Sequence, residues 1–207
     1  MQYFFSLVFG YLVGSFPTAY LLVKWKTRID IRQAGSGNVG AMNTFDVSGS
    51  KMLSTVVLVV DLLKGVLAVG LSSVFIGKEF WVMGTSGLAS IAGHNYSPWL
   101  SFKGGRGLAT ALGVMLSLGW IFVVVWCTLW VVVYLVSKNI HLSNVTTSII
   151  SPIVLAVSPE RLLQLTLPPY TSSRNFEYLA VVLCLLIVLK HFDYLSEFKK
   201  SFNKTLS

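Results

Sequence analysis

The chain has little charge and few of the groups that enzymes use for acid–base work. Of its 207 residues only 12% are charged, with 8 Asp and Glu, 16 Lys and Arg, and 3 histidines. None of the histidines is followed five residues later by an acid, those positions being Trp99, Thr146 and Ser196, which excludes a His-x4-Asp acyltransferase dyad. There is no G-x-S-x-G, so no nucleophile elbow, and no pair of carboxylates suited to hydrolysis. Cys127 and Cys184 are the only cysteines and both lie in apolar stretches. Without C-x-x-C or a Cys/His cluster, neither a zinc site nor a disulfide framework is indicated, and no metal or cofactor is expected. No internal repeat is present, which argues against the paired halves of many transporters. The N-terminus lacks a basic n-region and an A-x-A cleavage site, so residues 2–25 read as a retained first span.

What the chain does have is hydrocarbon-compatible sequence. It is 54% hydrophobic with a mean hydropathy of +0.72, which excludes an ordinary soluble domain. Apolar runs are expected to span the bilayer over about residues 2–23, 52–76, 80–92, 108–136, 145–157 and 178–189. Gly14, Ser15 and Pro17 interrupt the first. The segments 24–51 and 93–107 are polar, glycine-rich loops, 158–175 is a loop with no legible chemistry, and 190–207 is a basic tail. With the N-terminus outside, twelve of the sixteen cations fall on the cytoplasmic side: Lys24, Lys26, Arg28, Arg32, Lys51, Lys103, Arg106, Lys138, Lys190, Lys199, Lys200 and Lys204. Lys64 lies in a span, and Lys78, Arg161 and Arg174 remain outside. That asymmetry sets the orientation. It also constrains residues 108–136, because Arg106 and Lys138 share a side, yet the roughly thirty residues between them make only about 45 Å of helix. A short or partial helix breaking near Gly113–Gly119 is expected, followed by a longer one. The predicted architecture is an all-α integral membrane protein, one polytopic domain over residues 1–207, of about seven transmembrane helices with one short or partial. Its N-terminus is outside and its C-terminus cytoplasmic.

A net charge of +8 confined to a few loops suits anionic lipid headgroups better than nucleic acid. The loop around Lys103, Gly104, Gly105, Arg106 and Gly107 sets two cations among three glycines and opens into an apolar helix near Leu108. Backbone N–H groups, a helix N-terminus and two cations at one place make a phosphate site. Positive-inside anchoring accounts for the charges but not for the glycines. The earlier loop holds Gly35, Ser36, Gly37, Asn38, Gly40 and Asn43. Its G-x-G-x-x-G spacing lacks the βαβ unit of a dinucleotide site, but glycines and polar side chains permit an anion nest. His94 reads equally as an interface histidine bonded to backbone. Asp61 and Lys64, three apart on one helix face within a span, read as mutual neutralisation or as the lining of a site.

Four stretches together resemble the bacterial acyl-phosphate:glycerol-3-phosphate acyltransferase family (PlsY). They are Gly14-Ser15-Phe16-Pro17, residues 32–43, Asp61-Leu62-Leu63-Lys64-Gly65, and Gly93-His94 through Phe102-Lys103-Gly104-Gly105-Arg106-Gly107-Leu108-Ala109-Thr110. The resemblance implies acyl transfer from acyl phosphate to the 1-hydroxyl of glycerol 3-phosphate at the cytoplasmic face of the cell membrane. It implies catalytic roles for Ser36, Asn38, Lys103 and His191, and substrate binding by Gly37, Gly40, Asn43, His94, Gly104, Gly105, Arg106, Gly107, Thr110, Lys138 and Ser143. Acyl phosphate, glycerol 3-phosphate and membrane lipids are the implied partners, with no nucleic acid and no obligatory protein partner. The chain departs from the family pattern at Asp46, where arginine is usual and for which Arg28 or Arg32 could substitute, and at Asn144, where glycine is usual. It departs again in the tail at Phe192, Asp193, Tyr194, Leu195, Ser201 and Asn203. A non-catalytic paralogue that binds lipid or phosphate, or an acyltransferase with another acceptor, is the alternative.

Overall fold

The computed structural model of the protein describes residues 1–165, 167–168 and 171–205, with side chains as far as Phe192. All regular structure among them is helical. The chain forms two compact units, residues 1–118 and 119–207.

In the first unit, α1 (Gln2–Ser15) stops before Pro17, which has no N–H to donate, and α2 (Thr18–Thr27) resumes after it. The expected first span is thus two helices, and residues 2–27 together are long and apolar enough to cross a membrane. The loop expected to be irregular contains α3 (Ala41–Ser48), which ends at Gly49 in the left-handed region, φ 64°. Eight residues are too few for hydrophobic periodicity to reveal such a helix. The Ser50 hydroxyl accepts the Leu53 N–H at 3.3 Å and starts α4 (Lys51–Phe75). α5 (Phe80–Asn95) runs three residues beyond its expected end, and α6 (Leu108–Leu118) begins where expected.

Small residues set the packing. Ser86 and Ser90 of α5 lay their backbone where side chains on Gly10 and Gly14 of α1 would stand, and Gly65 and Gly113 bring α4 and α6 together in the same way. Such stripes let helices meet closely where no water drives them together. The interior is polar, enclosing Asp61, Lys64, Ser86, Ser90, His94 and Asn95, while Phe4, Phe5, Leu58 and Val59 face outward. Apolar side chains outside and hydrogen-bonding groups inside suit a hydrocarbon solvent.

The second unit holds α7 (Trp120–Ser137), α8 (Ile140–Ala156), α9 (Glu160–Gln164) and α10 (Ser173–Thr205). The break expected between Gly113 and Gly119 falls at Gly119, against whose Cα the Phe176 ring packs. Lys138 ends α7 in the left-handed region, φ 52°, and the Asn139 side chain accepts the His141 and Leu142 N–H groups to cap α8. α8 packs on α7 and α10. Among the described residues, 120–137 and 173–192 join 2–27 and 51–75 as four segments long and apolar enough to span a membrane, with α6 and α8 as shorter apolar helices. The basic tail continues α10 as far as Thr205. Within it, Asp193, Tyr194, Leu195, Ser201 and Asn203 lie outside the described side chains, as do residues 166, 169 and 170 of the preceding loop.

Candidate active site

The basic loop of the first unit folds back along the end of α5. After a 3-10 turn at Pro98–Leu100, Ser101 and Phe102 adopt left-handed backbone at φ 53° and 61°. The Lys103, Gly104 and Gly105 N–H groups then donate to the carbonyls of Leu100, Asn95 and His94, each at 3.1 Å. These amides, expected to cradle an anion, are spent on the chain itself. The glycines also have another reason than the one read from sequence. A side chain on Gly105 would run into His94 Nε2 and stand 2.6 Å from the Val39 carbonyl, and one on Gly107 would stand 2.5 Å from Asn95 Oδ1. The cations of the loop are the exposed Lys103 and the half-buried Arg106, close in sequence to the first turn of α6. The N–H groups of Leu108, Ala109 and Thr110 have no helix carbonyl behind them, whereas that of Ala111 donates to the Gly107 carbonyl at 2.8 Å.

The earlier loop is organised by Asn43. Its Oδ1 accepts the Ser36 N–H at 2.9 Å, and its Nδ2 faces the carbonyls of Ile31, Ala34 and Asn38 at 3.2, 3.1 and 2.9 Å. The Gly37 N–H donates to the Ala34 carbonyl at 3.1 Å, so it too is committed. Gly35 and Gly37 lie at φ 58° and 70°, and Gly40 fits against Asn38. The Ser36 side chain is exposed and that of Asn38 half-buried at the rim. Arg32 grips Asp30 with two nitrogens, Nη2 at 2.7 Å and Nε at 3.0 Å, and lies 5.2 Å from the Tyr20 ring centre. That hydrogen-bonded pairing lowers the Asp30 pKa and raises that of Arg32. Arg32 is therefore bound up in the loop, while Arg28 is exposed at the end of α2 and Asp46 is exposed on α3.

Beneath the two loops sits a buried charged cluster. Lys64 Nζ donates to Asp61 Oδ1 at 2.7 Å and to the Phe16 carbonyl at 2.6 Å. His94 Nδ1 lies 3.7 Å from the same carboxylate oxygen, and Thr110 Oγ1 donates to the Asp61 backbone carbonyl at 3.0 Å. Sequence reasoning missed the braces around it. Ser97 Oγ donates to the Ser15 carbonyl at 2.6 Å, and Trp99 Nε1 donates to Ser15 Oγ at 3.0 Å. The only signal for them was the polar Ser15 beside the proline break.

Lys138, Ser143 and His191 belong to the second unit. Lys138 is exposed, while Ser143 is buried and donates to the Asn139 carbonyl at 2.7 Å. His191 is wholly buried. Its Nδ1 lies 2.8 Å from the Ile187 carbonyl, which can only accept, so Nδ1 carries a proton. Trp130 Nε1 donates to Asn144 Oδ1 at 2.7 Å, which orients the amide so that Asn144 Nδ2 donates to His191 Nε2 at 3.2 Å. Nδ1 is thus held within α10, while Nε2 ties α10 to α8 and, through Asn144, to α7; the resemblance had implied a catalytic role for this ring. Asn144, noted in the sequence only as a departure, is the centre of this network.

Residues 4–200 match the family model described as Glycerol-3-phosphate acyltransferase. The chain belongs to the glycerol-3-phosphate acyltransferase family. Among proteins of that name, one from Synechococcus sp. (strain CC9902) is 41% identical over 152 residues, covering 73% of this chain and 75% of its own. Another, from Brucella anthropi, is 32% identical over 202 residues, covering 98% and 90%. Two crystal structures of PlsY (YgiH), an integral membrane glycerol 3-phosphate acyltransferase, are similar throughout. The glycerol 3-phosphate form matches with a TM-score of 0.77 at 30% identity, over 97% of this chain and 94% of that one. The lysophosphatidic acid form matches with a TM-score of 0.76 at 29% identity, over 97% and 93%. The chain is an acyltransferase built as a membrane protein.

Proposed function

We propose that the enzyme transfers an acyl chain from acyl phosphate to the 1-hydroxyl of glycerol 3-phosphate, releasing lysophosphatidic acid and inorganic phosphate. The observation that carries this reading is the meeting of the two loops at Gly105 and Val39. That contact brings the segment bearing Ser36 and Asn38 next to the one bearing Lys103 and Arg106. Acyl phosphate is a mixed anhydride, already activated, and phosphate leaves without strong acid help. Lys103, Arg106 and the first turn of α6 stabilise the negative charge that builds on the phosphate, and Ser36 and Asn38 hydrogen-bond its oxygens. Asn43 and His94 hold the loops in shape, with Gly37, Gly40, Gly104, Gly105, Gly107 and Thr110 completing them. A phosphate oxygen of the substrate takes the hydroxyl proton, so no strong protein base is required. Lys138, Ser143 and His191 serve the acceptor side, His191 by holding its helix in place. No metal or cofactor enters the scheme.

The enzyme acts as one polytopic domain of about seven transmembrane helices, one short or partial, in the plasma membrane. Its N-terminus is outside, its C-terminus and active site face the cytoplasm, and it needs no protein partner. The distribution of lysine and arginine supports this orientation. The test is purified protein in lipidic mesophase with palmitoyl phosphate and glycerol 3-phosphate, following phosphate and lysophosphatidic acid. Formation of both, dependent on Lys103, supports the reading. Phosphate without lysophosphatidic acid points to another acceptor or to hydrolysis. No phosphate release from folded protein means a binding-only paralogue.

A further inference from the structure

Asp61 and Lys64 stand as a buried ion pair inside a membrane-spanning helix, 3% and 5% exposed. An apolar pair of similar size would serve the helix at least as well, since burying two charges costs about what their attraction returns. The pair makes two contacts that apolar side chains could not. Lys64 Nζ bonds the Phe16 carbonyl at the break between α1 and α2. The Asp61 carboxylate faces His94 Nδ1, and the opposite nitrogen of that ring, Nε2, abuts Gly105. The turn after His94 is pinned to the same break by Ser97 and Trp99 through Ser15. A small cavity lies among these groups, lined by Thr18, Asp61, Lys64, His94 and Gly105, and its roughly 10 Å³ of room suits one water. The Thr18 hydroxyl is buried there without a protein partner.

We infer that Asp61 and Lys64 are positioning residues for the reaction. Acting through His94, they fix Gly105 and the adjoining Val39 carbonyl, and so set where Lys103, Arg106, Ser36 and Asn38 meet the phosphate of the acyl donor. Neither touches substrate. The inference rests on the acyl-transfer reading above.

The deciding variant is the apolar pair Asp61→Leu/Lys64→Met in the full-length protein. A purely structural pair predicts unchanged activity in whatever folds. Positioning predicts a melting temperature kept or raised, while kcat with palmitoyl phosphate falls about 100-fold and the KM for glycerol 3-phosphate holds. Binding of hexadecyl phosphate, an unreactive analogue of the donor, should weaken about tenfold for the same reason. A folded variant with wild-type kcat and wild-type hexadecyl phosphate affinity overturns the inference. If the apolar pair does not fold, Asp61→Glu and Lys64→Arg keep both charges and displace them. Reduced kcat in both with intact folding then supports positioning, and full activity in both overturns it. Absence of wild-type lysophosphatidic acid would sink the acyl-transfer reading. The hexadecyl phosphate comparison still decides positioning, because equal binding by wild type and variant, or no binding by either, refutes it.

Discussion

The imidazole of His94 lies against the Cα of Gly105 so closely that its Nε2 occupies the place of any side chain there. Gly105→Ala should therefore push the basic loop away from α5, where its N–H now donates to the His94 carbonyl at 3.1 Å. Overpacking of this kind costs about 1–3 kcal/mol of stability, and the misplaced cations should lower kcat/KM about 100-fold. Thermal unfolding and steady-state kinetics on one preparation check both. Wild-type kinetics in Gly105→Ala would mean that the loop tolerates the shift.

Lys103 gives the complementary case, because its side chain is exposed. Lys103→Ala should leave the melting temperature unchanged and cost about 3–4 kcal/mol of transition-state stabilisation, or roughly a 100- to 1,000-fold loss in kcat. Lys103→Arg should restore part of it. An unaltered rate in Lys103→Ala would remove this residue from the phosphate site.

Asn43 joins four backbone groups of the first loop through one amide. Asn43→Ala leaves those groups to find water and should cost about 2–3 kcal/mol locally. Hydrogen exchange would locate the loss, which should fall at residues 31–38 and spare α4. Uniform protection across the loop would show that other contacts hold it.

Asn144→Leu strips the partner from both Trp130 Nε1 and His191 Nε2. Each buried polar atom left unpaired costs about 1–3 kcal/mol, so the second unit should unfold earlier, with a shift in tryptophan emission as Trp130 loses its acceptor. An unshifted melting temperature would show that water replaces the amide.

The Asp30–Arg32 pair should appear in acid. Arg32 holds the Asp30 pKa below the ordinary carboxylate value, which is about 3.9. Because the unfolded chain then takes up the proton first, the pair's contribution is complete above that value and is lost as pH falls through the lowered folded-state pKa. Asp30→Asn should flatten the acid limb of the stability profile and leave the neutral limb parallel to wild type. Superimposable acid limbs would show that Asp30 titrates normally.

Much of this was legible along the chain, because hydrocarbon and water impose patterns that a sequence must carry. The apolar run from Met52, the start of α6 at Leu108 and the break at Gly119 all follow from run length, glycine and the reach of a helix. The motifs around residues 32–43 and 93–110 were legible as well, since glycines and polar groups are costly among apolar spans. The helix at Ala41–Ser48 was not, being too short to show a period. Nor was the helical continuation of the tail, of which composition gave only the basic character.

What the sequence determined by itself was the solvent of this protein, the order of its helices and its family. Only the tertiary structure decided what the glycines of the basic loop are for. In the sequence they look like room for a ligand. In the fold that room is taken by His94, Asn95 and Val39, and the N–H groups of Gly104 and Gly105 are bonded to the end of α5. Likewise Asn144 is a mere departure until Trp130 and His191 close around its amide. The reason is the same in both cases. A residue type states which contacts are possible, but whether a glycine faces a ligand or a neighbouring helix depends on groups distant in sequence, which meet only when the helices pack.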